Sequence, residues 1–381
     1  MKLAFAVSLL VVAGSGCVET LPPLEETTSL AVELVAPADP GAPDRRLADT
    51  DRTVQLRVTA KNAQNQLDTG FNRQVQVYVQ FLGTLTPELG AVVPFATIDL
   101  VNGESAVATV TLPAVFGPTT LWVEDGRDGG TFATGTSPAL WFRDPFVADI
   151  STPRDLGALD ALSSSPLQNK QVTVNASRYG ARGRLVINGT YAQGYSVSDV
   201  ECADAAGTPP CVSGDFDHVL VFSFSRPKDE QGRNLEAGQF IDGFGGGVQE
   251  FNGLTEMGFP QTFATDLSVD PARIPPPAQV DPSWFSNPIE FEKHEAGLIE
   301  LVGGTVCPLD ADYATYKQWK VDIGRGCGQA VNVITAGVAD VDPATLVGTV
   351  VPSVVGVLRP VNIGSFNVFI IYPRTGADVT L

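Results

Sequence analysis

Two histidines in 381 residues leave little of the side chain most used for general acid–base catalysis and zinc ligation. His218 stands in Asp215-Phe-Asp-His at the edge of an apolar run, and His294 in Glu292-Lys-His-Glu within a linker-like stretch. Neither is accompanied by Gly-x-Ser-x-Gly or a comparable nucleophile motif. Zinc-hydrolase, phosphate-loop and dinucleotide fingerprints are also missing. Both histidines therefore read as scattered surface residues, and the expectation is no catalytic residues, no metal and no cofactor. Two acidic clusters, Glu124-Asp-Gly-Arg-Asp-Gly-Gly and Asp340-Val-Asp-Pro, lack the ligand spacing of a twelve-residue calcium loop and read as solvated turns.

Charge is scarce and one-sided. Only 18% of residues are charged, and the net charge of −19 repels phosphate backbones and anionic lipid heads at long range, though it does not exclude a local basic patch. Nucleic acid is accordingly an unlikely partner. Periodic Ala/Leu/Glu/Lys runs of helical length do not occur after residue 16. What is abundant is Gly (38) and Pro (28), punctuating short Val-, Thr- and Phe-rich segments, the pattern of an all-β chain. At this length two or three domains are expected, and 44% hydrophobic residues suffice for a core in each.

The N-terminus carries a compartment signal. Met1-Lys2 is a short positive region, and Leu3 to Ala13 is apolar but too short to span a bilayer. Gly14-Ser15-Gly16-Cys17 follows and resembles a lipobox, departing from it at Gly14, where an aliphatic is commoner. The resemblance implies a lipoprotein signal over residues 1–17 whose Cys17 takes a diacylglycerol and becomes the new N-terminus, a firm membrane anchor. The alternative is an ordinary secretory signal with a chance cysteine. Val18, in place of Asp, implies outer-membrane sorting in a Gram-negative bacterium. Residues 18–29 read as a tether.

Four cysteines remain: Cys202, Cys211, Cys307 and Cys327. An even number in an exported chain suggests disulfides, with three pairings open. The two local pairs, Cys202 with Cys211 and Cys307 with Cys327, are favoured over a four-cysteine metal site, whose Cys-x-x-Cys spacing is absent.

Residues 30–147 alternate apolar and polar in Leu30-Ala-Val-Glu-Leu-Val, Val54-Gln-Leu-Arg-Val-Thr-Ala and Val75-Gln-Val-Tyr-Val-Gln-Phe. A hairpin is predicted at Asn102-Gly103, and further strands at Thr119-Thr-Leu-Trp-Val and Ala139-Leu-Trp-Phe. About seven such strands fit an immunoglobulin-like sandwich. Phe116-Gly-Pro-Thr-Thr-Leu-Trp-Val-Glu-Asp followed by Thr134-Gly-Thr-Ser resembles the Ig-like modules of bacterial surface lipoproteins. Residues 148–169 read as a linker.

Residues 170–265 read as a small barrel. Gly183-Arg-Leu-Val-Ile is predicted to turn at Asn188-Gly189 into Gly194-Tyr-Ser-Val-Ser-Asp. Val219-Leu-Val-Phe-Ser-Phe and the glycine-kinked run from Gly238 to Pro260 follow. This run, with its Asn252-Gly253 turn and closing Phe259-Pro260, resembles OB-type modules of bacterial lipoproteins and of large secreted nucleases, whose catalytic domain is absent here. Residues 266–290 are Pro-rich and read as a second linker. In 291–381 the pattern repeats, with Gly238/Gly348 and Pro260/Pro373 about 110 residues apart, implying a second OB-like barrel. The alternative is one larger β-domain over 170–381.

Lys170, Arg178, Arg182 and Arg184, with Tyr195, are the candidate binding residues, a basic and aromatic strand face of the kind on which OB-folds stack bases. The functional expectation is a non-enzymatic envelope lipoprotein that binds a protein or glycan partner. The alternative is single-strand nucleic-acid binding by the first barrel.

Overall fold

The computed structural model describes residues 27–81, 94–126, 133–156, 164–336, 338, 341–363 and 366–381. The leader, Cys17, most of the tether and parts of both acidic clusters lie outside the described residues. The chain is all-β, in three curled sheets. Among the described residues no helix is long and apolar enough to cross a membrane.

The first sheet comprises β1 (Thr27–Ala36), β2 (Thr53–Asn62), β3 (Arg73–Phe81), β4 (Ala96–Val101), β5 (Glu104–Ser105), β6 (Ala108–Thr111), β7 (Pro118–Glu124), β8 (Thr134–Thr136) and β9 (Leu140–Trp141). Its order is β1-β2-β5-β4-β3-β7-β8, with β6 on β2 and β9 on β7. Alternation in sequence becomes alternation in burial: Val54, Leu56, Val58 and Ala60 of β2 face the core, and Arg57 faces water. The sheet curls until β8 meets β1, so closely that a Cβ on Gly135 would collide with the Leu30 carbonyl. Asn102 and Gly103 both adopt positive φ, as the predicted hairpin requires.

The second sheet contains β10 (Gln171–Val174), β11 (Gly183–Tyr191), β12 (Gly194–Glu201), β13 (His218–Phe222), β14 (Phe240–Ile241), β15 (Gly243–Phe251) and β16 (Leu254–Phe263). The third contains β17 (Ala278–Gln279), β18 (Leu298–Val306), β19 (Gln318–Asp322), β20 (Val331–Ile334), β21 (Val350–Ile363), β22 (Phe366–Tyr372) and β23 (Val379–Thr380). Their central strands follow one order, β11-β12-β13-β16-β15 and β18-β19-β20-β22-β21. In both, the third and last strands in sequence pair in parallel while their neighbours are antiparallel. In the third sheet β21 also pairs with β18. Gly238 and Gly348 hold equivalent places: each is left-handed, and each donates its N–H to a carbonyl of the first central strand, Ile187 or Val306. Disulfides join Cys202 to Cys211 and Cys307 to Cys327.

Three sequence expectations are corrected. Asn188-Gly189 is no turn: neither residue has positive φ, β11 runs on to Tyr191, and the register slips here as a bulge. Asn188 is fully buried and its amide donates to Ser198 Oγ, while Gly189 lies under the Arg374 side chain, whose guanidinium donates to the Asn188 carbonyl. The stretch 148–169 is not a free linker. It opens on α1 (Val147–Ser151), and Val147, Ile150 and Leu167 belong to the core of the second sheet. The Pro-rich stretch 266–290 is likewise folded. Val280 and Trp284 are core residues of the third sheet, and Asp281 caps a 3₁₀ turn over Pro282–Ser286 by accepting from the Ser283 N–H.

Candidate ligand cleft and the polar centre behind it

That capped turn, followed by α2 (Ile289–Glu292), carries aromatic side chains over the outer face of β19, β20 and β22. A cavity of about 570 Å³ opens between them. Trp284, Phe285, Phe291 and Phe369 form its aromatic wall. Phe291 stacks on Phe369 at 4.9 Å between centroids, and Trp284 meets Phe291 edge-on at 5.2 Å. Gln318 and Asn332 lie buried at the floor, where the Gln318 amide donates to Asn332 Oδ1 at 2.9 Å. Asn367, Gln329 and Gly328 are exposed at the rim, and Cys327 fixes that rim through its disulfide to Cys307. The cleft's lining cation, Lys320, is bound to Asp310 at 2.5 Å, with Asp312 at 3.7 Å. That hydrogen bond raises the Lys320 pKa and lowers that of Asp310, so both stay charged and mutually neutralised.

Behind the cleft, where the second and third sheets meet, lies a buried polar centre. The two histidines, expected as scattered surface residues, meet here at 6.4 Å between centroids, because the turn after α2 packs onto β13. His294 stacks on Trp284 at 5.2 Å, and His218 is only 4% exposed. Its Nδ1 lies 2.5 Å from Ser198 Oγ, which also accepts from Asn188. Burial, then the neighbouring His294 and Arg178, holds the His218 pKa down at about 3, so the ring is neutral. Close by, Asp217 accepts from Tyr179 Oη, Arg178 and the Gly214 N–H. Glu250, Glu292 and Glu295 form a second group. Burial comes first, and for Glu292 and Glu295 the neighbouring carboxyls add to it; each pKa is raised. Glu295 Oε1 accepts the Thr255 N–H, while Oε2 of Glu292 and of Glu295 have no protein partner among the described residues.

A Ser–His pair and perturbed carboxyls are the raw material of catalysis. Neither group is among the residues lining the cleft, however, and Ser198 is wholly buried. The chemistry that lines the open space is aromatic and amide, with Lys320 and Asp312 as its charged residues. Among the described residues no group of three His, Cys, Asp or Glu side chains is placed to hold a metal ion.

The candidate binding residues of the second sheet do not assemble into a face. Tyr195 is 1% exposed, its hydroxyl bonded to Thr262, and burial raises its pKa strongly. Period-2 alternation hid this, because β12 is buried along nearly its whole length. Arg178 is paired with Asp217, Arg182 with Glu201, and Arg184 donates to the carbonyls of Ala181, Gly183 and Ala205. Lys170 contributes backbone bonds to Leu167 and Val248. Sequence reasoning passed over Trp284, Phe285 and Phe291 because they follow a proline run. The usable signal is Asp281-Pro282, an N-cap and first-turn pair, ahead of two large aromatics in a supposed linker and a third just beyond it.

No protein-family model, no curated protein and no solved structure matches this chain.

Proposed function

We propose that this chain is a non-catalytic, lipid-anchored protein of the Gram-negative outer membrane that binds an uncharged glycan in the cleft of its third unit. The lipobox-like Cys17 supports the anchor, and the two disulfides support an oxidising compartment. We further propose that the first unit is an Ig-like module and the other two OB-type barrels. The shared strand order with a parallel third and last strand, and the β18–β21 pairing, support the latter.

The carrying observation is the composition of the cleft. Aromatic faces suit the apolar faces of sugar rings, and Gln318, Gln329, Asn332 and Asn367 offer both donors and acceptors to hydroxyls. Its cation is neutralised, so a charged ligand gains little. A single-stranded nucleic acid requires cations along its backbone, and Arg178, Arg182 and Arg184 are already engaged.

Isothermal titration of the chain from Val18 onward against neutral oligosaccharides, with charged peptidoglycan fragments as the contrast, tests this reading. Binding is expected to be insensitive to salt. Phe285→Ala and Asn367→Ala, both at the mouth, should each weaken it about tenfold. Absence of binding to every glycan, or binding as tight as wild type by both variants, refutes it.

A further inference from the structure

Away from the cleft, the second sheet displays a feature that its packing does not use. Phe224 is 67% exposed and Phe259 is 75% exposed, and their rings lie 5.2 Å apart. Phe222 stands edge-on to Phe224 at 5.3 Å. Together the three rings make one apolar knob. Its position follows from the sheet: Phe222 ends β13, which runs parallel to β16, and Phe222 is registered with Gly258, the residue before Phe259.

The knob is held rigidly and under strain. Phe259 has φ +53°, an outlier for an aromatic residue, at a bulge opposite Gly245–Gly247. This backbone turns the ring outward. The segment bearing Phe224 is pinned by the Ser223 N–H to the Gln193 carbonyl, by buried Pro227, and by Asp229, which accepts from the Gln231 and Arg233 backbones and pairs with the Arg233 side chain. A ring projected by a strained strand backbone, Phe259, against one carried on a hydrogen-bonded loop, Phe224, is a feature expected of a contact surface.

Two cations stand beside the knob in a chain of net charge −19. Arg226 and Lys228, two and four residues beyond Phe224, are exposed and have no side-chain partner among the described residues. The rings contact one another, so they offer a convex apolar surface and not open faces between which bases would stack. Exposed aromatics flanked by free cations match the boundary between acyl chains and anionic headgroups.

We infer that the Phe222–Phe224–Phe259 knob, with Arg226 and Lys228, docks the body of the protein on an anionic phospholipid surface. This contact is independent of the glycan cleft and of any lipid on Cys17.

The test is co-sedimentation of the chain from Val18 onward, which contains every described residue and lacks the apolar leader. The vesicles are phosphatidylcholine alone, or phosphatidylcholine with phosphatidylglycerol. Binding is expected only to the anionic vesicles and is expected to fall with salt. Arg226→Ser with Lys228→Ser should weaken it about 30-fold. Phe224→Ser with Phe259→Gly should weaken it at least about tenfold. Glycine relieves the strain at position 259, so a melting temperature no lower than wild type for Phe259→Gly shows that lost binding is not lost folding. Equal binding to both vesicle types, no binding to either, or binding that survives both double substitutions overturns the inference. Binding to single-stranded DNA but not to vesicles also overturns it.

Discussion

Acid should loosen this protein through His218. The ring is 4% exposed and neutral, and its pKa falls from 6.5 to about 3 because burial, His294 and Arg178 all oppose a second proton. Asn188 donates to Ser198 Oγ, and His218 Nδ1 lies 2.5 Å from the same oxygen. An added proton would charge a ring that burial has stripped of water. Because the folded pKa lies below the unfolded one, the stabilisation is complete above about pH 6.5 and is lost as pH falls towards about 3. The slope is about 1.4 kcal/mol per pH unit, so at about pH 5 the loss from this ring is about 2 kcal/mol. His218→Gln keeps a polar partner for Ser198 and removes the titration. Gln fills the site less well and should cost about 1 kcal/mol at neutral pH. Its stability should then decline less steeply, by about 2 kcal/mol between about pH 7.5 and about pH 5. Urea unfolding of both proteins at the two pH values measures this difference, and other titrating groups cancel in the comparison. Parallel decline in wild type and variant refutes the reasoning, as does a ring resonance of His218 that titrates near its ordinary value.

The carboxyls work in the opposite direction. Burial, then Glu250 beside Glu292 and both Glu292 and Glu250 beside Glu295, raises the pKa values of Glu292 and Glu295, so their contribution is lost as pH rises through the folded values. Glu292→Gln, which needs no proton, is expected to raise the melting temperature at mildly alkaline pH and to change it little in acid; a scan across pH checks this. The Cys307–Cys327 bridge spans 20 residues, and removing it as a Cys307→Ala/Cys327→Ala pair should cost about 3 kcal/mol by urea unfolding. The same pair should weaken ligand binding, because Cys327 forms part of the cleft rim.

What the sequence made legible is what neighbouring residues decide among themselves. Alternation located β1, β2 and β3, where one face is wet. Asn-Gly located the turns at 102–103 and 252–253, where both residues have positive φ. The same dipeptide misled at 188–189. There Asn188 is held by Ser198 on the neighbouring strand and by Arg374, which lies 186 residues away in sequence, and both lie beyond any local window. The histidines failed for the same reason. The Phe216 N–H bonds to the Lys293 carbonyl, and a Cβ on Gly297 would collide with the His218 ring, so a contact across nearly 80 positions buries a residue that looked peripheral. The cleft is not legible locally because a proline run reads as an end to structure, whereas Pro282 begins a turn that Asp281 caps.

The cleft and the polar centre share one residue, and this explains why costly buried groups lie beneath a plain aromatic wall. Trp284 lines the cleft on one side and stacks on His294 on the other, with a 16° angle between the rings. Next to His294 in sequence, Lys293 pairs with both Glu290 and Asp215, tying α2 to the second sheet. Glu295, one residue further, takes the Thr255 N–H of β16. The segment 290–295 is therefore gripped by the second sheet while its Phe291 packs in the core of the third. Apolar contact alone tolerates sliding, whereas a buried carboxyl or imidazole that loses its partner is penalised heavily. The polar centre thus fixes where Trp284 and Phe291 stand, at the expense of a narrower pH range of stability. A cleft built from one sheet's own loops would need no such centre; this one borrows its wall from a segment whose position is set by the neighbouring sheet.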